Sequence, residues 1–363
     1  MHIVGARPNF MKAAPVCSAM GDWDIQRLLI HTGQHYDDNM SRIFFDELGL
    51  PKPDLNLGVG SGSHARQTAE VMIGLEPVML EENPDILMVY GDVNSTVAAA
   101  LVAAKLHIPV AHVEAGLRSF DLSMPEEINR MITDRISDLL FTPSPEGDEN
   151  LFNEGVAPEK IHCVGNVMID TLARLLPMSE SRDILRGLGL EDSTGKVEPY
   201  ALVTLHRPSN VDEQERLTTI LRALGRLAES MQIIFPVHPR TRDRMNKLSE
   251  GLVESSGIRM IEPVGYLDFL RMQRMSRAVI TDSGGIQEET TWLGVPCFTL
   301  RPNTERPITI TEGTNRLIDR DVEKFDEIVE STLEQGVECK SPPKLWDGKA
   351  GIRIAEVIKS VLS

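Results

Sequence analysis

The sequence contains few cysteines, few aromatic residues and no long apolar run. Only four of its 363 residues are cysteines and 5% are aromatic. The cysteines lie far apart without a C-x-x-C pair, which argues against a disulfide framework and favours a reducing compartment. No stretch approaches the roughly 20 apolar residues of a membrane span, and the N-terminus lacks the basic and then apolar pattern of a signal peptide. We therefore predict a cytoplasmic protein that does not use a membrane as a partner.

Positive charge is also scarce in this chain. It has 37 Lys and Arg residues against 54 Asp and Glu residues, and its formal net charge is −17. Nucleic acids and anionic membranes are bound by basic surfaces, so we expect neither as a main partner. The acidic residues are interleaved with arginines and lysines and no cysteine spacing suggests ligands, so we predict no metal site. With 41% apolar residues, the chain is long enough for two domains.

Short apolar runs alternate with helix-like segments along the whole chain. The predicted strands are "HIVG", "RLLIHTG", "DILMVYG", "IPVAHVE", "DLLFTPS", "KIHCVGN", "YALVTLH", "QIIFPVH", "IRMIEP", "RAVITDS" and "PCFTL". This alternation is typical of parallel sheets with crossover helices. A polar, glycine-containing stretch near residues 178–198 interrupts the pattern and indicates a domain joint. We predict an α/β protein of two Rossmann-like domains, whose parallel sheets face each other across a central cleft.

Acidic residues follow two consecutive predicted strands. In such sheets ligands bind beyond the carboxyl ends of the strands, and Asp92 in "GDVNST" and Glu114 in "HVEAGLRS" occupy those positions. A group of acids in a cleft raises the pKa of one member, which then works as an acid or base near neutral pH. Glu126 and Arg130 in "PEEINR" lie one helical turn apart, and a surface ion pair is the alternative interpretation there.

Several other segments provide candidate groups for binding an anion. In "DSGGIQEE", a predicted strand runs into Ser283, Gly284 and Gly285 and then into a helix, whose free N–H groups attract phosphates. Simple capping of that helix by Asp282 or Ser283 is the alternative.

Basic residues and histidines follow other predicted strands. Arg7 and Lys12 flank a predicted helix start, where a solvated pair is the alternative interpretation. His206 and His238 each follow a predicted strand in the second half. Either histidine alone is more often structural than catalytic, but their repetition at strand ends favours a role in binding.

Together these segments resemble the non-hydrolysing UDP-N-acetylglucosamine 2-epimerases. The match covers nearly the whole chain and is carried by "GARPNFMKAAP", "TGQHYDDN", "GDVNST", "HVEAGLRS", "PEEINR", "GNVMIDTL", "LHRPSN", "DSGGIQEE" and "NTERP". A related branch that acts on UDP-2,3-diacetamido-glucuronate is similar in "TGQHYDDN" and "GVGSGSHARQT". The segments "GIQEET" and "NTERPITITEGTNRL" resemble the acetylglucosamine branch more.

The resemblance implies a GT-B-like fold and a homodimer. An N-terminal domain over residues 1–170, with a C-terminal helix near 350–363 packing back on it, would carry the acid and base carboxylates. A second domain over 171–349 would bind UDP. The implied reaction removes the C2 proton of the sugar and expels UDP by anti-elimination to give 2-acetamidoglucal. UDP then adds back with reprotonation on the opposite face, and no cofactor or metal is required.

The resemblance also implies roles for individual residues. Asp92, Glu114 and Glu126 match the family's acid and base carboxylates, and His206 matches the histidine that steadies the leaving diphosphate. The residues that match or are expected at the substrate-binding groups are Arg7, Lys12, Arg130, His238, Phe269, Ser283, Gly284, Gly285, Glu289 and Arg306.

The chain departs from the family pattern at a regulatory site. Bacterial relatives bind a second substrate molecule through a glutamine three residues after "QH" and an arginine before "GD". This chain has Asp37 at the first position and, in an ungapped alignment, Glu70 at the second. Acids are poor groups for holding a diphosphate, so the hypothesis is that this regulation is weak or absent.

Two further hypotheses come from other classes of protein. A GT-B glycosyltransferase would need an acceptor pocket and fewer clustered acids than this chain has. A catalytically silent nucleotide-sugar-binding protein would have lost the acids while keeping "DSGG". Because the acids are all present, both rank below the epimerase.

Overall fold

The computed structural model describes residues 1–21, 23, 25–33, 49–50, 52–237, 241–242, 245, 257–319, 321–336 and 341–362. The chain divides into two compact units. The first comprises Met1–Arg174 with Lys344–Ser363, and the second comprises Leu175–Pro343.

The first unit contains a seven-stranded parallel sheet in the order β3-β2-β1-β4-β5-β6-β7. Its strands are β1 (His2–Val4), β2 (Leu29–His31), β3 (Leu55–Asn56), β4 (Leu87–Tyr90), β5 (Val110–Val113), β6 (Leu139–Thr142) and β7 (Ile161–Cys163). The central strands are buried on both faces, as the continuous apolar runs predict. In this order β4 and β5 are neighbours, and Tyr90 pairs with Val113 at their carboxyl ends.

Helices connect these strands in the manner of crossover units. They are α1 (Arg7–Ala19), α2 (His64–Glu82), α3 (Asn94–Lys105), α4 (Pro125–Ile136), α5 (Pro145–Asn153) and α6 (Val167–Glu180), and a short 3-10 turn covers Pro158–Lys160. A proline lies in the first turn of α1, α4 and α5, where its missing N–H is not needed. The core between α2, α3 and the sheet is formed by aliphatic residues of β1, β4 and these helices.

The second unit contains a six-stranded parallel sheet in the order β10-β9-β8-β11-β12-β13. Its strands are β8 (Tyr200–Thr204), β9 (Gln232–Pro236), β10 (Ile258–Ile261), β11 (Ala278–Thr281), β12 (Cys297–Thr299) and β13 (Asn315–Leu317). The helices are α7 (Ile184–Gly187), α8 (Pro208–Val211), α9 (Gln214–Leu227), α10 (Tyr266–Met275), α11 (Gly284–Leu293), α12 (Ile308–Thr311) and α13 (Phe325–Gln335), with a 3-10 turn at Val322–Lys324. The α/β class with two parallel sheets is thus confirmed, and each of the eleven predicted runs contains a strand.

The last helix, α14 (Ala350–Leu362), belongs to the first unit. Its buried residues include Ile354 and Ile358, and it packs beside α1. The carboxylate of Asp170 in α6 accepts hydrogen bonds from the first N–H groups of α14, at 3.1 Å from Ala350 and 2.7 Å from Gly351. None of the described helices is both long and apolar enough to cross a bilayer.

Candidate active site

The turn after β4 brings Asp92 to the carboxyl end of the first sheet. Gly91 has φ +62°, a left-handed conformation that favours glycine. Its N–H donates to the carbonyl of Val113 at 2.9 Å, so the turn is tied to β5. A Cβ at Gly91 would lie 2.5 Å from Nζ of Lys12. The turn therefore needs glycine both for its backbone and for the close approach of this ammonium group.

Glu114 lies directly after β5, beside that turn. Its φ of +72° is uncommon for a residue with a side chain, and such strain is concentrated at functional sites. Nζ of Lys12 lies 2.8 Å from both carboxylate oxygens of Glu114. Both side chains are nearly buried, with exposed fractions of 7% for Lys12 and 3% for Glu114. Lys12 therefore contacts the Gly91 turn and the Glu114 carboxylate together.

Arg130 of α4 holds the Asp92 side chain. Its Nε and Nη2 lie 2.9 and 2.8 Å from Oδ2 of Asp92, and the Asp92 side chain is 19% exposed. The amide of Asn129 donates to the backbone carbonyl of Asp92 at 2.9 Å. The structure thus brings together four of the predicted site residues, Lys12, Asp92, Glu114 and Arg130, as two carboxylates each paired with a buried cation.

The consecutive glutamates at the start of α4 have different environments. Glu127 is buried, and its carboxylate accepts hydrogen bonds from the N–H groups of Ser119 and Phe120 at about 2.9–3.1 Å and lies 2.6 Å from Nη1 of Arg130. Glu126 has an exposed side chain in the first turn of the same helix. Glu127, which organises the loop before α4, is not among the predicted site residues. A catalytic role for Glu126 stays a prediction.

In the second unit, His206 follows β8 and is anchored by Asp282 after β11. Nδ1 of His206 lies 2.8 Å from Oδ1 of Asp282, and the carboxylate also accepts the N–H groups of His206 and Arg207. Burial raises the pKa of Asp282, but its contact with His206 and these hydrogen bonds outweigh burial, and the net pKa is lowered. The His206 side chain is 62% exposed, so its Nε2 edge is available to a ligand.

The predicted phosphate loop begins α11. Ser283 occupies the N-cap position, but its side chain makes no capping hydrogen bond, and the Asp282 carboxylate is turned back to the β8 turn. A Cβ at Gly284 would lie 2.6 Å from Nη1 of Arg306, whereas a Cβ at Gly285 would meet no atom of the described part of the chain within 4 Å. The first N–H groups of α11 are therefore not covered by either proposed capping side chain.

Two buried glutamates follow in α11. Glu288 lies 2.8 Å from Nε of Arg306, whereas Glu289 accepts a hydrogen bond from the hydroxyl of Tyr266 at 2.8 Å. Burial raises the pKa of Glu289 to about 7, and the neighbouring Glu288 adds to the shift. Phe269, one turn after Tyr266 in α10, is half-buried. The second unit thus holds, in α11, a buried carboxyl group of near-neutral pKa that is hydrogen-bonded to the first residue of α10.

The side chains of two predicted site residues, Arg7 and His238, lie outside what the structure describes. His238 lies outside the described residues, together with Arg240. Arg7 is the first residue of α1. Among the residues that the structure does describe, no group of three or more His, Cys, Asp or Glu side chains is arranged to hold a metal ion.

These features define an α/β enzyme of two Rossmann-like units, with polar groups at the carboxyl ends of the strands in each. The sequence profile of UDP-N-acetylglucosamine 2-epimerase matches residues 19–359. The chain belongs to this family, whose members are isomerases with a GT-B-like fold.

Individual relatives agree with that assignment over their full length. A UDP-N-acetylglucosamine 2-epimerase of Methanocaldococcus jannaschii is 45% identical over 360 residues, which cover 98% of this chain and 97% of the relative. A UDP-2,3-diacetamido-2,3-dideoxy-D-glucuronate 2-epimerase of Pseudomonas aeruginosa is 41% identical and covers 99% of this chain and 98% of the relative. The crystal structure of the Methanocaldococcus jannaschii UDP-GlcNAc 2-epimerase in complex with UDP-GlcNAc and UDP superposes with a TM-score of 0.88 at 44% identity, covering 99% of each chain.

Proposed function

We propose that this protein is a non-hydrolysing UDP-N-acetylglucosamine 2-epimerase that interconverts UDP-GlcNAc and UDP-ManNAc. The observation that carries the proposal is the pair of carboxylates, Asp92 and Glu114, at adjoining strand ends, each held by a buried cation. Inverting C2 requires a group that removes a proton from one face of the sugar and a group that returns one to the other face. Carboxylates fixed in place by Lys12 and Arg130 suit such proton transfers.

The proposed reaction has two stages that share one intermediate. A carboxylate takes the C2 proton, the C1–C2 double bond forms, and the bond from C1 to the phosphate oxygen breaks with release of UDP. UDP then adds back to C1 of 2-acetamidoglucal while a proton is delivered to the opposite face of C2. Asp92, Glu114 and Glu126 are proposed as the acid and base groups, and the balance of atoms requires no redox cofactor.

The second unit is proposed to hold UDP. His206, which Asp282 fixes by its Nδ1 edge, would in its doubly protonated form donate from Nε2 to the diphosphate as charge develops on it. Ser283, Gly284 and Gly285 would bind phosphate at the start of α11. Glu289 and Phe269 would contact the ribose and the uracil, and the proposed binding residues outside this list are Arg7, Lys12, Arg130, His238 and Arg306.

The domain boundaries, assembly and compartment are proposed as well. Residues 1–170 with the helix at 350–363 would form the acid and base domain, and residues 171–349 the UDP domain. A homodimer in the cytoplasm is proposed, and several apolar side chains of α4 support a subunit contact. Ile128 and Met131 on that helix are 45% and 40% exposed, and Phe120 before it is 79% exposed.

A single experiment tests the reaction. Purified protein is incubated with UDP-GlcNAc in deuterated water, and the anomeric proton signals are followed by NMR. We expect UDP-ManNAc carrying deuterium at C2. If neither the epimer nor exchange at C2 forms while UDP-2,3-diacetamido-glucuronate is turned over, the protein belongs to that related branch, whose 41% identical relative makes it the second candidate.

A further inference from the structure

His112 lies in the middle of the first sheet and binds a partner through each ring nitrogen. Nδ1 lies 2.6 Å from Oδ1 of Asp134, and Nε2 lies 2.8 Å from the backbone carbonyl oxygen of Gly91. The His112 side chain is completely buried. A carbonyl oxygen can only accept a hydrogen bond, so Nε2 donates to Gly91. The His112 ring therefore holds the turn that carries Asp92 through the Gly91 carbonyl.

Asp134, on α4, joins the same histidine to the turn that follows Glu114. Its Oδ2 accepts the N–H of Gly116 at 3.1 Å and lies 2.7 Å from Nη1 of Arg118. Burial raises the pKa of Asp134, but His112 and Arg118 outweigh burial and lower the net pKa. The buried carboxylate therefore carries its charge at neutral pH and binds three donors.

The backbone around Gly116 is closely packed, so the turn after Glu114 has little room to move. A Cβ at Gly116 would lie 2.4 Å from the carbonyl oxygen of Gly147. Arg118 is held at its other side by Glu154, with Nε and Nη2 at 2.7 and 2.8 Å from the carboxylate oxygens. Close packing and a two-point ion pair thus fix the Glu114–Arg118 segment against Asp134.

We propose that Asp134 and His112 are positioning residues for the epimerase reaction, which set the Asp92 turn and the Glu114 turn relative to each other. This inference rests on the proposed function. One carboxylate reaches the Asp92 turn through His112 and the Glu114 turn through Gly116, and neither Asp134 nor His112 is assigned a contact with substrate. Displacing a catalytic group by about 1 Å can cost about 100-fold in rate. The proposed UDP contacts lie mostly in the second unit, so binding depends less on this network.

Two substitutions of His112 separate positioning from simple stability. The amide nitrogen of a glutamine occupies nearly the place of Nε2, whereas that of an asparagine occupies the place of Nδ1. His112→Gln can therefore still donate to the Gly91 carbonyl, and His112→Asn can still donate only toward Asp134. We expect kcat to fall about 10–100-fold in His112→Asn, with KM for UDP-GlcNAc changed less than about threefold. His112→Gln should retain a kcat several-fold higher than His112→Asn.

Asp134→Asn tests the other half of the network. The amide has one acceptor oxygen, so either His112 or the pair of Gly116 and Arg118 loses its acceptor. We expect a fall in kcat like that of His112→Asn, and a double variant whose loss is smaller than the product of the single losses, because both residues act through one network. Asp170→Asn is the matched control, since Asp170 is a buried carboxylate of the same unit that also accepts backbone N–H groups. It should lower thermal stability without the loss of kcat.

The outcomes distinguish the two claims. A wild-type protein that forms no UDP-ManNAc overturns the proposed function. An active wild type overturns the positioning role if His112→Asn and His112→Gln have equal kcat, or if all losses follow thermal stability and match those of Asp170→Asn.

Discussion

At the scale of single residues, the carboxylates proposed for catalysis differ in accessibility. The Asp92 side chain is 19% exposed and that of Glu114 is 3% exposed, while the Glu126 side chain is exposed. A group that exchanges a proton with substrate must reach it. Of the two carboxylates that follow β4 and β5, Asp92 is therefore the more accessible to substrate.

Asp92→Asn should therefore abolish most of the activity without unfolding the protein. The asparagine can still accept one hydrogen bond from Arg130, but it cannot take a proton. General acid or base catalysis contributes about 100- to 10,000-fold, so we expect kcat to fall by that range while UDP still binds. Initial rates of epimerisation and calorimetric titration with UDP measure the two effects.

Asp138→Asn is the control for that substitution. Asp138 accepts the N–H of Val110 at 3.1 Å at the opposite end of β5, far along the strand from Glu114. It should leave kcat within about twofold, since surface substitutions have small effects. If Asp92→Asn is as active as Asp138→Asn, Asp92 is not a catalytic group.

Burial of Glu289 makes the stability of the protein depend on pH. Its pKa is raised to about 7 by burial and by Glu288, whereas the same carboxyl group in the unfolded chain has its ordinary value near 4.5. Between these values the folded state holds a proton that the unfolded state has lost, so this group makes stability decrease as pH rises from about 4.5 to 7, by up to about 3 kcal/mol.

Glu289→Gln removes that titration. Wild-type thermal unfolding midpoints should decrease more between pH 5.0 and pH 7.5 than those of the variant, and the two curves should run parallel above pH 8. Glu330→Gln, which replaces a glutamate of α13, controls for the loss of one negative charge. Parallel curves for all three proteins over the whole range would contradict the pKa of Glu289.

The polar residues at the strand ends could be predicted from the sequence, but the side chains that hold them in place could not. Asp92 and Glu114 were predictable because each follows an apolar run. Glu127, His112 and Asp134 were not, since their roles depend on which of several nearby polar side chains turns inward. The orientation of the Asp282 carboxylate could not be predicted either, because an acid before a helix can cap that helix or accept N–H groups from the turn after another strand.

Among the elements, the apolar runs predicted the central strands and the edge strands β7 and β10, but not the edge strands β3 and β13. β3 has two residues, both exposed, and β13 begins with Asn315 and has an exposed Arg316. Such strands form because a neighbouring strand offers unpaired backbone groups, which leaves no apolar pattern in the sequence. The chain changes unit at residues 174–175, inside α6, and residues 178–198 follow in the second unit.

The docking of α14 on α1 leaves no room for a side chain at Gly351. A Cβ at Gly351 would lie 2.7 Å from the backbone oxygen of Pro15, and backbone cannot move aside as a flexible side chain can. Gly351→Ala should therefore destabilise the protein by about 1–3 kcal/mol through overpacking, and thermal unfolding measures this.

Gly187 in α7 provides the matched glycine. No atom of the described residues would lie within 4 Å of a Cβ there, so Gly187→Ala should be neutral or stabilise by up to about 1 kcal/mol, since alanine restricts the unfolded chain. Equal effects of the two alanine substitutions would show that α14 does not pack against α1 as closely as described.

The charge of the whole molecule bears on how its reaction rate responds to substrate concentration. The resemblance to bacterial relatives implies a second, regulatory substrate molecule, and that molecule carries a diphosphate. Here the chain has a net charge of −17, and Glu70 on α2 has its carboxylate 2.6 Å from Nε of Arg66. Asp37, the other departure, lies outside the described residues. The Arg66 guanidinium on α2 is thus already paired with the Glu70 carboxylate.

We therefore expect initial rates to rise hyperbolically with UDP-GlcNAc, with a Hill coefficient near 1. A regulatory ligand shifts an equilibrium only by its differential affinity for two states, and repulsion between a diphosphate and an added carboxylate reduces that affinity. Glu70→Gln removes the acid while leaving Arg66 in place, and its curve should also be hyperbolic with unchanged kcat, because one neutral residue does not rebuild a diphosphate site. A sigmoidal curve for the wild type would contradict the prediction. A sigmoidal curve for Glu70→Gln alone would show that this single carboxylate suppresses a site that otherwise exists.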